Sequence, residues 1–166
     1  ECSKYCVPHP KPKPSHRLTF PVIPLEMKLS EHPEYRIAVQ AAMESDFDSA
    51  RSAYLHLISV AANVNDDSAL SYLLQCLADV EARSGNLGLG LQLHQRAIDE
   101  SPNIPFVLIF FAKSLAKYFD QKQKATDILI YAETLLNSQE WIDSDDNISV
   151  ESYITQIQSA RVEIAG

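Results

Sequence analysis

The chain has 166 residues, 46% of them hydrophobic and 22% charged, with only 4 Gly and a formal net charge of −8. That length suffices for one domain with a real core, and scarce Gly beside frequent Ala and Leu favours helix. The longest apolar run, Ile104 to Ala112, is far too short to cross a bilayer as a helix, and the acidic balance lacks the basic footprint that nucleic acid needs and suits a basic peptide or simply solubility.

The charge is unevenly spread. Residues 1–28 carry five cations, Lys4, Lys11, Lys13, Arg17 and Lys28, against Glu1 and Glu26, whereas residues 29–166 carry nine cations against 20 carboxylates. The first segment also holds six of the nine prolines, at Pro8, Pro10, Pro12, Pro14, Pro21 and Pro24. Alternating prolines cannot be helical and favour an extended polyproline II arm over residues 1–29. Its lysine-proline composition is similar to the stiff spacers of bacterial envelope proteins, and the first residue, Glu rather than Met, reads as a mature or truncated product. The arm then turns apolar, with Leu18, Phe20, Val22, Ile23, Leu25, Met27 and Leu29 suited to packing on the body or on a partner.

From residue 30 to 166 the hydrophobic period is helical. Pro33 marks a start, and the first helix is expected over 34–44. Ser45 and Asp48 form a Ser-x-x-Asp start for a second, running to about Asn63. Asn65-Asp66-Asp67 caps a third over 68–83, and Gly85-Asn86 turns into a fourth over 87–100, within which Gly88 and Gly90 each cost about 1 kcal/mol against Ala. Further helices are expected over 105–119 and 122–136. A polar, acidic loop with Trp141 follows, then a last helix over 150–164 with Tyr153, Ile154, Ile157 and Val162 on one face.

Large and small residues recur through these helices. Ile37-Ala38, Ala50, Tyr54 and Leu57-Ile58 are followed by Leu74, Leu77-Ala78, Gly85-Asn86, Gly90, Ala97-Ile98 and Pro102-Asn103, then by Phe111-Ala112, Leu115, Ala125, Leu129 and Ala132. The pattern resembles the tetratricopeptide repeat family, whose helix–turn–helix unit is about 34 residues long. The resemblance covers roughly 31–137 and implies an all-α antiparallel helix-pair solenoid of three units, with the last helix as its cap. It also implies a small residue at Gly90 where paired helices come close. The first helices of each pair would line a concave groove. The first contributes Tyr35 and Val39, the third Tyr72, Gln75, Asp79 and Arg83, and the fifth Phe106, Ile109, Lys113 and Lys117. Tyr beside Lys and Arg suits a peptide or helix with carboxylate groups; the alternative leaves Phe106 and Ile109 in the core and the charges solvated. Where one sub-type of the family holds a Lys/Asn/Arg clamp for chaperone C-termini, this chain has Tyr35, Val39, Cys76 and Phe106, which removes the co-chaperone reading.

Other candidates are weaker. Cys2, Cys6, His9 and His16 have loose spacing for zinc, and Cys2 with Cys6 suits a disulfide or free thiols. Asp143, Asp145, Asp146 and Asn147 lack the Gly and closing Glu of a calcium loop. His94 falls where the family packs an aromatic between helices, and Cys76 suits a buried apolar position. No phosphate loop, nucleophile elbow or His-Glu-x-x-His motif points to an enzyme, and no cofactor is called for. The expectation is a non-catalytic protein-binding scaffold or assembly factor, with the envelope or periplasmic side favoured over the cytoplasm. A soluble cytosolic adaptor or inhibitor is a second reading, and a structural subunit that self-assembles through the arm into a homo-oligomer a third.

Overall fold

A computed structural model describes Leu29, residues 32–138 and residues 149–166. Residues 1–28 of the proline-rich arm, with Cys2, Cys6, His9 and His16, and the acidic stretch with Trp141 and Asp143 to Asn147, lie outside the described residues, whereas Leu29, the arm's last residue, packs on the helical interior.

The described residues form seven α-helices and no strand. They are α1 (Pro33–Met43), α2 (Phe47–Val64), α3 (Asp67–Arg83), α4 (Leu87–Glu100), α5 (Pro105–Phe119), α6 (Lys122–Ser138) and α7 (Val150–Ala165). Local chemistry sets most of the boundaries. Pro33 and Pro105 open α1 and α5, where the missing N–H would have had no partner. His32 Nδ1 accepts from Glu34 N at 3.3 Å. Asp46 rather than Ser45 caps α2, accepting from Ser49 N at 3.2 Å, because Ser45 takes the left-handed conformation (φ 62°) that ends α1. Asn65 (φ 56°) closes α2, and Asp66 caps α3 through Ala69 N at 2.9 Å. Ser149 does the same for α7 at Ser152 N, 3.2 Å.

Each helix packs on the next, α3 also meets α5, and α7 packs across both α5 and α6. The α3–α4 pairing is the most extensive. Gly90 explains why: a Cβ there would lie 3.1 Å from Ala78 O, 3.3 Å from Ala82 N and 3.4 Å from Ala82 Cβ, so the α4 backbone rests almost directly on α3.

The interior falls into two clusters. One draws on α1 to α4 and the start of α5, around Leu57, Leu73, Leu74 and Leu77. The other draws on α5, α6 and α7, around Phe111, Leu115, Leu129 and Tyr153. Phe106 and Ile98 pack against both. On α7 the buried face is Tyr153, Ile157, Ala160 and Ile164; Ile154 and Val162, expected beside Tyr153, are exposed instead. The spacing of four, three and four keeps one stripe on α5 and α6, and residues 154 and 162 lie off that stripe.

Candidate binding surface

Three of the expected groove residues meet as a row of rings across α1, α3 and α5. The Tyr35 and Tyr72 rings have centroids 6.1 Å apart, with their hydroxyls 2.6 Å apart. Tyr72 stacks on Phe106 at 5.1 Å, and Phe106 meets Phe110 at 5.5 Å. All four are half-buried, held by their mutual contacts without being sealed in the interior. Val39 is also half-buried, on α1 one turn beyond Tyr35.

Two residues expected in the groove lie in the interior instead. Gln75 is fully buried, donating from Nε2 to Val107 O at 3.1 Å and accepting at Oε1 from His94 Nδ1. It thus ties α3 to α4 and α5. Its amide has both its donor and its acceptor engaged within the protein, which is what keeps a polar group stable there. Ile109 is buried as well, and Phe110 takes the surface place assigned to it.

The His94 contact fixes the tautomer. Gln75 Oε1 can only accept, so Nδ1 carries the proton and Nε2 is left as a buried lone pair without a partner. The ring packs on Phe111 with centroids 5.4 Å apart. Burial pushes His94 down to about 4, against a smaller opposing effect of the Asp79 carboxylate. Cys76 is half-buried beside Tyr72 and Tyr54, and burial pushes its thiol up to about 12, which suppresses the nucleophilic thiolate.

Beyond Phe110 the row opens into a cleft of about 470 Å³ between α3, α5, the start of α6 and the end of α7. Asp79, Lys113 and Lys117 line it, as do Phe110, Tyr118, Lys122, Glu163 and Ile164. Tyr118 donates to Asp79 Oδ1 at 2.7 Å, and Arg83 Nη1 lies 3.6 Å from Asp79 Oδ2. Lys113 Nζ pairs with Glu163 Oε1 at 3.0 Å. Lys117 Nζ stands 4.7 Å from the centre of the Tyr118 ring, and that tyrosine raises its pKa. Arg83 faces the other way as well: it donates to Ala42 O at 2.8 Å and lies over the Phe47 ring, bracing the α1–α2 turn.

Sequence reasoning missed Phe110, Tyr118, Lys122, Glu163 and Ile164. Phe110 could have been found from its i, i+4 relation to Phe106. The α7 residues had no such signal, since only tertiary packing brings that helix end beside α5. Among the described residues no three His, Cys, Asp or Glu side chains converge as they would around a metal ion, and no helix is long and apolar enough to cross a membrane. No family model matches the chain, nor does any curated protein or solved structure.

Proposed function

We propose that this chain is a non-catalytic protein-binding module, a scaffold or assembly factor that holds a peptide or helix along the face shared by α1, α3 and α5. The observation that carries this is the row Tyr35, Tyr72, Phe106 and Phe110. Half-buried rings in contact give a large apolar surface at low entropic cost, and aromatic residues are enriched where binding energy concentrates. The order of helix contacts, each with its neighbour and α3 with α5, is in keeping with tetratricopeptide-like stacking, in which alternate helices share one face. A peptide laid across that face would contact three helices at once.

The test is selection from a displayed random-peptide library on the immobilised full chain, with the enriched peptides then measured against variants. Tyr72→Ala and Tyr35→Ala should each weaken binding about tenfold while the helical circular dichroism spectrum is retained. If every selected peptide binds both variants as tightly as the parent chain, this face is not the site.

A further inference from the structure

Resting on that binding-module reading, we propose that the cleft at the end of the aromatic row takes an acidic peptide segment. Carboxylates of the segment meet Lys117 and Lys122, and an adjoining apolar side chain seats on Phe110. The charge distribution points to this occupant. Residues 29–166 hold nine cations and 20 carboxylates, yet all four of their lysines, Lys113, Lys117, Lys122 and Lys124, fall within α5, α6 and the turn between them. Three of the four line one cleft.

The carboxylates in that cleft are already engaged. Glu163 is paired with Lys113 at 3.0 Å, and Asp79 accepts from Tyr118 and lies 3.6 Å from Arg83. Lys117 and Lys122 are exposed and have no carboxylate within ion-pair distance among the described residues. The cleft therefore carries a local positive excess, Lys113, Lys117 and Lys122 against Asp79 and Glu163, while the other described residues hold six cations against 13 carboxylates. Such a contrast steers an anionic segment to one place and repels it elsewhere. The apolar floor is continuous with the aromatic row through the Phe106–Phe110 contact, so one extended segment can present an acidic end to the lysines and apolar residues to the rings.

The experiment uses fluorescence anisotropy on the full chain at low salt with three labelled probes: a peptide bearing two aspartates beside a leucine, its asparagine counterpart, and inorganic polyphosphate. The aspartate peptide should bind about five- to tenfold tighter than the asparagine one, with the preference fading above about 0.3 M salt. A K117Q/K122Q double variant should lose that preference, and K117R/K122R should keep it. Equal binding of the two peptides, or an unchanged preference in K117Q/K122Q, overturns the inference. Tighter binding of polyphosphate, lost in the same variant, overturns it in favour of a phosphate polymer. If library-selected peptides depend on Tyr72 while the aspartate preference is absent, the acidic-segment inference fails and the binding-module reading stands. If neither appears, both fail.

Discussion

Between α3 and α4 the interior is partly polar. Ser71 and Ser101 place their hydroxyls 2.8 Å apart and both reach Asp67 O, Gln75 holds His94, and the Glu81 carboxylate, almost fully buried, takes Arg51 Nε at 2.5 Å and Asn86 Nδ2 at 2.7 Å. The α5–α7 group buries Phe111, Leu115, Leu129, Leu135, Tyr153 and Ile157, with Ser114 as its one buried polar side chain among the described residues. The contrast separates two ways of fixing a helix. Directional polar contacts are satisfied in one register only, so a slip of α4 on α3 would strand several groups together. Apolar packing tolerates more exchange, and in the α5–α7 group the charges lie at the rim, where they frame the cleft.

The largest break in this comparison is at Gly90. Gly90→Trp should abolish cooperative unfolding at 25 °C, because the new side chain meets the α3 backbone, which cannot yield as a flexible side chain could. Gly88→Trp is the control on the same helix: nothing lies within 4 Å of its Cβ position, and its melting temperature should stay near that of the parent chain. A normal melt for Gly90→Trp would mean the helices are not in such close contact.

Next come matched substitutions in the two interiors. Leu129→Ala removes a fully buried side chain from the apolar cluster and should cost about 3 kcal/mol in urea unfolding. Arg51→Ala leaves the Glu81 carboxylate buried without its cation and should cost about as much, roughly 3 kcal/mol. Acidification distinguishes them. Glu81 is held below its ordinary pKa, first by the Arg51 hydrogen bond, so the stabilisation it supplies is lost as pH falls. The penalty of Arg51→Ala should therefore shrink in acid, and that of Leu129→Ala should not. Equal pH dependence would contradict the assignment.

His94 sharpens the contrast by a different route. Its folded pKa, about 4, lies below the ordinary 6.5, so the unfolded chain binds the extra proton first. Its contribution is complete above about pH 6.5 and is lost as pH falls toward 4, amounting to about 3 kcal/mol across that window. Urea titrations at intervals from pH 7 to pH 4.5 should show this loss, and His94→Leu should be less stable at pH 7 yet flatter over the same range. A parallel decline in the two proteins would place the proton elsewhere.

Much of the fold is legible in the sequence. All seven helices follow from period and punctuation, since Pro33, Asn65-Asp66, Gly85-Asn86 and Pro105 are local signals read within a turn or two. The surface side of α5 was not, because Ile104 to Ala112 has no polar residue to show which face meets water, and Ile109 was exchanged for Phe110. Gln75 misled for the opposite reason. A polar side chain reads as exposed unless its partners are known, and these are His94 and Val107, brought in from two other helices. Glu163 was invisible as a cleft residue because its meeting with Lys113 spans 50 positions and depends on how α7 lies on α5.

That last pair gives the smallest effect and the finest test of the rim. Lys113 and Glu163 are both about half exposed, at 42% and 52% for their side chains. Solvent screening therefore leaves the pair worth less than about 0.5 kcal/mol, and Glu163→Gln should scarcely move the unfolding midpoint. Its effect on the cleft should be larger than its effect on the fold, since Lys113 then joins Lys117 and Lys122 as an uncompensated cation beside Phe110. Anisotropy with the two-aspartate probe should show a two- to threefold gain in affinity, roughly what one added surface charge supplies at low salt. A gain without destabilisation would separate the rim charges, which tune what is held, from the apolar packing beneath them, which only positions them. A loss of stability approaching that of Leu129→Ala would show instead that α7 needs this pair to stay on α5, and the cleft would then be a consequence of the ion pair rather than its setting.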